Sequence, residues 1–210
     1  MPEFDQASPT SPARALLNAL IAFYEGPGRL GDQGAAVVLD RALPALRIAS
    51  PVAIAPRSLP VADLLVPALA PLKTSLARAI QDAARSYCWR QNPNYSDANM
   101  GAGFMADYGY VEFAGPKEAL FHAPDIRVGL LVLGAGRHYP IHTHPAEEVY
   151  HPLTNGGEWR RGDEAWRQVA AASAIHHAPM IAHETRAGPE TLLALYCWAG
   201  DTATEARLQS

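Results

Sequence analysis

A cluster of potential metal ligands lies between residues 142 and 148 of this 210-residue chain. His142 and His144 are two residues apart in an apolar, strand-like segment, and Glu148 follows the second histidine by four residues. Because side chains alternate along an extended strand, both imidazoles point to the same side. Glu148 would return to the same point from the next strand. Two imidazoles and a carboxylate suit Zn, Fe, Mn, Co or Ni, so the spacing predicts a site for one divalent metal ion.

A further ligand has to come from elsewhere in the chain, and His183 is the best candidate. Seven of the eight histidines lie between residues 138 and 183, a density that packing alone does not explain. His176 and His177 compete with His183, but neighbours in a strand point to opposite faces, so at most one of them reaches the interior. Three other histidines are expected to have structural, supporting or surface roles: His122, His138 and His151.

Two tyrosines flank the histidine pair. Tyr150 shares the strand parity of Glu148, which predicts that its ring faces the metal. Tyr139 precedes His142 by three residues and is expected in a loop before the strand. A phenol has a pKa of about 10 and is a poor base unaided, but a neighbouring divalent cation favours the phenolate. Glu147 is expected to face away from the site, towards solvent or a salt bridge.

The composition is typical of a globular protein with a real core, since 49% of the residues are hydrophobic and 18% are charged. The formal net charge of −4 gives no electrostatic reason to expect binding to nucleic acid. No apolar run reaches the roughly 18 residues of a membrane span, and the first residues lack the features of a signal peptide. Cys88 and Cys197 have no CxxC spacing, so we expect two buried thiols in a reducing cytoplasm.

The elements that must position these residues fall into two parts, of which the first is helical. Apolar positions recur at helical spacing over residues 12–24, with Ser11 as a possible N-cap. A second helical stretch over residues 60–90 is interrupted by Pro67 and Pro71, so two helices are expected there. Residues 47–60 contain three prolines and are expected to be extended or a loop.

Beyond a polar connector over residues 91–103, the periodicity changes to that of short strands separated by turns, which predicts a sandwich or a barrel. An Asn-Gly-Gly turn at residues 155–157 predicts a hairpin between the strands on either side of it. The predicted strands cover residues 108–113, 127–133, 148–153, 158–160, 174–177 and 191–198.

The ligand cluster resembles the first sequence motif of the cupin superfamily, G-x5-H-x-H-x3,4-E-x6-G. Gly136, His142, His144 and Glu148 occupy the first four positions, and the last glycine is displaced by one residue, to Gly156. This motif is fairly specific, because it fixes four positions over thirteen residues.

The second cupin motif is only partly present. Pro179 and His183 match it, whereas its inner glycine and its final asparagine are absent. The resemblance implies a mainly β fold, a cupin-type small β-barrel (double-stranded β-helix) with an α-helical N-terminal extension. We therefore divide the chain into a helical extension over residues 1–104, a cupin barrel with the metal site over 105–200 and a C-terminal tail over 201–210.

A narrower resemblance covers residues 139–150, whose Tyr-Pro-x-His-x-His and Glu-x-Tyr pattern is similar to the cupin-type dimethylsulfoniopropionate (DMSP) lyases of bacteria. This resemblance implies a metal-dependent carbon–sulfur lyase that cleaves the zwitterion DMSP by β-elimination to dimethyl sulfide and acrylate. The metal would hold the substrate carboxylate, and a tyrosine, Tyr150 or Tyr139, would be the base. Strand parity favours Tyr150, and the helical half is expected to pack on the barrel and could assist a homodimer. The implied metal ligands are His142, His144, Glu148 and His183.

Four further aromatic residues could line a substrate pocket, because aromatic faces attract cations and DMSP contains a sulfonium. Core packing is the more ordinary expectation for them. They are Trp159, Trp166, Tyr196 and Trp198.

Two alternative functions are compatible with the same residues. Other cupin enzymes, such as Fe-dependent dioxygenases and sugar or keto-acid isomerases, use the same ligand set, because a fold does not determine its chemistry. A cupin that binds a small ligand without converting it is the second alternative. No basic helix-turn-helix is evident in the sequence, which disfavours a DNA-binding regulator.

Overall fold

The structure is a computed structural model that describes residues 11–209. Within this range, twelve strands form a seven-stranded and a five-stranded sheet that together enclose an aromatic core. Helices precede the main strands and pack on the outer face of the larger sheet. The predicted fold class, a mainly β barrel with a helical N-terminal part, is confirmed.

The helical part is built from short segments. Three short 3-10 helices lie between the longer elements, at Pro27–Arg29, Pro60–Leu64 and Ala84–Ser86. The α-helices are α1 (Pro12–Glu25), α2 (Ala35–Ile48), α3 (Leu65–Leu69), α4 (Ser75–Ala83), α5 (Asp97–Met100) and α6 (Phe104–Asp107).

Side-chain caps mark the starts of two of the helices. The Ser11 hydroxyl accepts a hydrogen bond from the Arg14 N–H at 3.2 Å and caps α1, as predicted. The proline-interrupted stretch forms two helices, α3 and α4, and Thr74 caps the second of them. The sequence did not delimit α2, because Gly34 offers no side-chain cap and Pro44 lies inside the helix. Among residues 11–209, no helix combines the length and apolar content that are needed to cross a bilayer.

The larger sheet has the strand order β1-β3-β2-β4-β11-β6-β9, and the smaller has the order β12-β5-β10-β7-β8. The strands are β1 (Ser50–Pro51), β2 (Tyr108–Gly115), β3 (Ala119–His122), β4 (Ile126–Leu133), β5 (His138–Thr143), β6 (Glu147–Pro152), β7 (Glu158–Arg161), β8 (Arg167–Gln168), β9 (Ile175–His177), β10 (His183–Arg186), β11 (Leu192–Ala199) and β12 (Arg207–Leu208).

Two local predictions were wrong. Tyr139 does not lie in a loop but inside β5, where it pairs with Thr185 of β10. The turn at residues 155–157 is not a hairpin, because β6 pairs with β11 and β9 in one sheet while β7 pairs with β10 and β8 in the other. Gly156, at φ +86°, turns the chain from one sheet to the other. A glycine-rich turn between two strands therefore indicates that the chain changes direction, but it does not show which strands pair with each other.

The central strands of the larger sheet are buried on both faces. Every residue of β2, β4 and β11 is buried. On β11, Leu193 and Leu195 face the helices, whereas Tyr196 and Trp198 face the barrel interior. Burial on both faces explains why this strand reads as a nearly continuous apolar run rather than as an alternating pattern.

Polar contacts fasten the helical layer to the strands behind the predicted site. Asp32 accepts hydrogen bonds from Arg161 at 3.0 Å and from Arg167 at 2.7 Å. On α2, Arg41 donates a hydrogen bond to Glu147 of β6 at 2.9 Å. The helices therefore hold β6 and its neighbours through charged groups as well as through apolar packing.

We expect His151 to make the stability of the fold depend on pH. Its Nε2–H donates a hydrogen bond to the Gly28 carbonyl at 2.8 Å, and burial between β6 and α1 lowers its pKa from 6.5 to about 4. Between these two pH values only the unfolded chain takes up the proton, so stability is lost as the pH falls. A difference of this size corresponds to about 3 kcal/mol.

The measurement is urea unfolding of metal-free protein from pH 7 to pH 4, for the wild type and for His151→Gln. Between pH 7 and pH 4, the free energy of unfolding of the wild type should fall by about 3 kcal/mol more than that of His151→Gln. Parallel profiles would contradict the assignment of a neutral, buried His151.

Candidate metal centre

The four predicted ligands meet inside the barrel. His142 lies on β5 directly opposite His183 on β10, His144 follows the end of β5, and Glu148 lies on β6. All four side chains are buried. The potential ligand atoms of the three histidines lie within 4.8 Å of one another. Side-chain alternation along β5 and into the residue that follows it therefore brings His142 and His144 together, as strand geometry predicts.

Backbone carbonyls determine which nitrogen of each histidine is free. In each case the Nδ1–H donates to a carbonyl oxygen two residues away, at 2.8, 3.0 and 2.9 Å. The Nε2 atoms consequently have their lone pairs available, which is the form in which imidazole binds a metal. The pairs are His142 with Pro140, His144 with Ala146, and His183 with Ile181.

These lone pairs face a carboxylate. The Nε2 atoms of His144 and His183 each lie 3.2 Å from the Glu148 Oε2 atom. The Nε2 atom of His183 is buried and has no hydrogen-bond partner among the described residues. The ligand atoms of the three histidines lie close together, and two of them, on His144 and His183, also face the Glu148 carboxylate. The donor set therefore fits a divalent metal ion.

Two further side chains hold Glu148. His177 donates from Nδ1 to the Glu148 Oε2 atom at 3.0 Å, and Trp198 donates from Nε1 to Oε1 at 2.5 Å. The His177 ring also stacks on His183, with ring centroids 3.9 Å apart, and the Trp198 ring stacks on His144 at 4.2 Å. The Nε2 atom of His177 is buried without a partner, so this residue is a second potential ligand beside Glu148 and His183.

Sequence reasoning allowed only one of His176 and His177 to face the interior, and the structure agrees. His177 pairs with Glu148 across β9 and β6, whereas His176 points outward and contacts Glu147 at 2.9 Å. The choice between His176 and His177 depends on the register of β9 against β6, which the sequence does not show. Trp198 was missed as a partner of Glu148 for the same reason, because the pairing of β11 with β6 cannot be seen in either segment alone.

The charge states of these groups suit metal binding. Burial, followed by the proximity of His183, lowers the pKa of His177 to about 3. Burial also lowers the pKa of His142, with His183 and His144 adding to the effect. For Glu148, burial acts to raise the pKa, but His144 and the neighbouring imidazoles outweigh it and hold the pKa well below its usual value. At neutral pH, His142 is therefore neutral and Glu148 is ionised, the forms in which these two residues bind a metal.

Both predicted tyrosines face the cluster. The Tyr139 ring stacks on His142, with centroids 4.1 Å apart and planes 8° apart, and its hydroxyl donates to the Tyr95 hydroxyl at 3.1 Å. The Tyr150 ring lies 5.8 Å from the ring of His177. Burial raises the pKa of both phenols, and the nearby Glu148 raises that of Tyr150 further. Neither phenol would ionise near neutral pH without an added positive charge.

A cavity adjoins the cluster and is lined mainly by aromatic rings. Glu148 lies among its lining residues, and Arg127 and Glu205 contribute the other charges. The aromatic lining consists of Tyr108, Tyr110, Tyr139, Tyr150, Tyr196 and Trp198.

Arg127 packs against the aromatic rings that line this cavity. It donates to Glu112 at 2.7 Å and to Glu205 at 3.2 Å, so its charge is compensated. Its guanidinium lies 4.9 Å from the centre of the Trp198 ring. The guanidinium therefore packs against the indole that hydrogen-bonds Glu148.

The remaining candidates lie outside the site. Trp159 is a core residue, and Trp166 lies between the guanidinium groups of Arg160 and Arg186. Glu147 faces away from the site, as expected, and pairs with Arg41.

The other histidines are also away from the cluster. His138 is half exposed and contacts Glu184 at 2.7 Å, His151 supports the contact with the helices, and His122 is exposed. Nothing in the pattern of the polar connector marks Tyr95 as a neighbour of the site.

Comparison with known proteins relates this geometry to a family. The DMSP lyase family model matches residues 35–194. The DMSP lyase DddQ of Ruegeria pomeroyi is 30% identical over 138 residues, which are 63% of this chain and 67% of that protein. The crystal structure of DddQ from R. pomeroyi DSS-3 superposes with a TM-score of 0.72 at 25% identity, covering 93% of this chain and 96% of the other.

A second crystal structure, one of those of the DMSP lyases RdDddP and RnDddQII, superposes with a TM-score of 0.77 at 22% identity. The superposition covers 95% of this chain and 98% of the other, and it supports the fold. The family match extends from α2 to β11 and includes all four candidate ligands. This chain therefore belongs to the DMSP lyase family of carbon–sulfur lyases.

Proposed function

We propose that this protein is a metal-dependent enzyme that cleaves DMSP by β-elimination to dimethyl sulfide and acrylate. The observation that carries the proposal is a buried cluster of three histidines, two of which also face the Glu148 carboxylate, beside an aromatic cavity. Membership of the DMSP lyase family supports the choice of substrate.

The proposed cofactor is one divalent ion, Zn, Fe, Mn, Co or Ni. His177 and Trp198 orient the Glu148 carboxylate through hydrogen bonds, a role that is typical of residues around metal ligands. When bound, such an ion supplies Lewis-acid stabilisation for the charge that develops on the substrate carboxylate and favours a neighbouring phenolate. The proposed ligands are His142, His144, Glu148 and His183.

The contribution of the chain itself is a tyrosine base, Tyr150 or Tyr139. The phenolate oxygen takes the α-proton of DMSP, and the electron pair of that C–H bond forms the new carbon–carbon double bond. The bond between the β-carbon and sulfur then breaks, and its electron pair leaves with sulfur. Dimethyl sulfide departs as a neutral molecule, so the reaction needs no general acid.

The aromatic wall suits the cationic end of the substrate. Tyr196 and Trp198 line the cavity beside Tyr150, and a sulfonium is attracted to aromatic faces as an ammonium is. Exclusion of water by these rings also strengthens electrostatic interactions inside the cavity.

We further propose a cytoplasmic location. Cys88 and Cys197 are both free and buried, which suits a reducing compartment.

The first test of this proposal is product analysis. Purified protein loaded with each candidate metal should convert DMSP to equal amounts of dimethyl sulfide and acrylate, measured by gas chromatography and by NMR. The yield should not depend on oxygen. Products that appear only with oxygen would indicate a dioxygenase, and binding without turnover would indicate a ligand-binding cupin.

The second test concerns the metal ligands. His144→Ala, Glu148→Ala and His183→Ala should each lose stoichiometric metal in elemental analysis, because each removes a ligand. His177→Ala should retain the ligands but bind metal about 10–100-fold more weakly, as expected when a supporting hydrogen bond is lost. His138→Ala, which changes an exposed histidine of the same strand as His142, is the control and should bind metal normally. Full metal retention in the three ligand variants would refute the assignment.

The third test concerns the base. Tyr150→Phe and Tyr139→Phe keep the ring but delete the hydroxyl, and the variant that lacks the base should show a kcat lower by about 10²–10⁴-fold with metal still bound. Its residual rate should also lose the increase towards alkaline pH that a titrating phenol produces. Tyr24→Phe, which changes a buried tyrosine of α1, is the control. Normal turnover in both site variants would exclude a tyrosine base.

A further inference from the structure

Tyr95 joins the polar connector to the site. Its side chain is buried, and its hydroxyl accepts the hydrogen bond of Tyr139 at 3.1 Å. The two rings meet edge to face, with centroids 5.7 Å apart. Tyr95 therefore contacts Tyr139 through both its hydroxyl and its ring.

This contact gives the Tyr139 hydroxyl a hydrogen-bond acceptor. One face of the Tyr139 ring stacks on His142 at 4.1 Å, and Tyr108 packs against the same ring at 5.4 Å. Ring packing fixes the plane of Tyr139, but the hydroxyl hydrogen can still rotate about its C–O bond. The Tyr95 oxygen supplies the acceptor that selects one orientation.

The segment that holds Tyr95 is itself fastened to the C-terminal segment. The Asn92 amide donates to the Ala206 carbonyl at 2.9 Å, and the Asn94 amide donates to the same oxygen at 3.2 Å. The Asn92 side-chain oxygen accepts from the Asn94 N–H at 2.9 Å, and the Tyr95 N–H donates to the Asn92 carbonyl at 3.0 Å. Tyr95 thus follows a turn that is closed internally and bonded to a second segment.

The connector is also fastened on its other side. The Gln91 amide donates to the Met105 carbonyl at 2.5 Å and to the Tyr108 carbonyl at 2.7 Å, next to the start of β2. The connector is therefore bonded to two separate parts of the fold, the segment before β2 and the C-terminal segment. These hydrogen bonds hold the backbone on both sides of the turn that carries Tyr95.

We propose that Tyr95 is a positioning residue for the reaction, acting through its hydrogen bond to Tyr139. This inference rests on the proposed lyase function and extends it to a residue outside the metal cluster. Tyr95 need not touch the substrate. Its hydroxyl holds the Tyr139 hydroxyl in the orientation used at the site, and small displacements of reacting groups have large effects on rate.

The first measurement compares Tyr95→Phe with Tyr87→Phe in metal-loaded enzyme. Tyr87 is a matched control, because it is also a buried tyrosine whose hydroxyl donates one hydrogen bond, in this case to the Ile80 carbonyl at 2.7 Å. It lies in the apolar core between the helices and the larger sheet, outside the barrel interior. Tyr95→Phe should lower kcat for DMSP by about 10-fold, as expected for loss of one orienting hydrogen bond, and leave KM within about 3-fold. Tyr87→Phe should leave both constants unchanged.

The second measurement is a double-mutant cycle with Tyr139. If Tyr95 acts through Tyr139, adding Tyr95→Phe to Tyr139→Phe should not lower kcat further. A general structural role would lower kcat by the same factor in both backgrounds. Equal factors would therefore overturn the inference.

The third measurement does not depend on metal or on activity. In metal-free protein labelled with ¹³C at the tyrosine Cζ atoms, the signal of Tyr139 is identified by its loss in Tyr139→Phe. Tyr95→Phe should shift this signal, because the phenol loses its acceptor, whereas Tyr87→Phe should leave it in place. An unmoved signal would overturn the inference.

The wild-type control separates the two proposals. If the wild type releases no dimethyl sulfide, the proposed function fails before any variant is compared. If the wild type is active while Tyr95→Phe has normal kinetics and an unmoved Tyr139 signal, the positioning role alone is overturned.

Discussion

The arrangement of this barrel depends on the burial of one ionised carboxylate. Glu148 is 1% exposed, and removing a carboxylate from water costs several kcal/mol unless other groups compensate the charge. The compensation comes from separate strands: His177 on β9, Trp198 on β11, and the imidazoles that follow β5 and begin β10. Each of these strands must be in register for Glu148 to be stable in the interior. The site and the fold therefore form together.

The same strands serve two layers at once. On β6 and β9, Glu148 and His177 face the barrel, while the preceding residues, Glu147 and His176, face outward and contact each other. Arg41 of α2 donates a hydrogen bond to Glu147 of this outer pair. Because successive side chains alternate, a shift of either strand by one residue would exchange the two sets. Contacts made by the helical layer consequently help to hold the register on which the inner site depends.

Features that depend on neighbouring residues could be predicted from the sequence, whereas features that depend on residues far apart in the sequence could not. Strand alternation is local, so the common orientation of His142 and His144 could be predicted. The choice between His176 and His177, the role of Trp198 and the mistaken hairpin all depend on which strands pair, and pairing is set by contacts that are distant in sequence. Tyr95 lies in a polar connector, where no periodic pattern exists to single out one side chain. The division of the chain into an extension, a barrel and a tail stays a prediction.

The stacking of Trp198 on His144 has a spectroscopic consequence. The other three tryptophans are Trp89 beneath the helical layer, Trp159 in the barrel core and Trp166 beside Arg160 and Arg186. Among the described residues, the indole that stacks on a candidate ligand is that of Trp198. Its N–H is bonded to Glu148 and its ring lies against His144. Indole emission responds to nearby charge and to quenching by transition metals. The Trp198 indole is thus placed as an internal optical reporter, and the intensity and wavelength of its fluorescence should change when a transition metal is added to the candidate centre in solution.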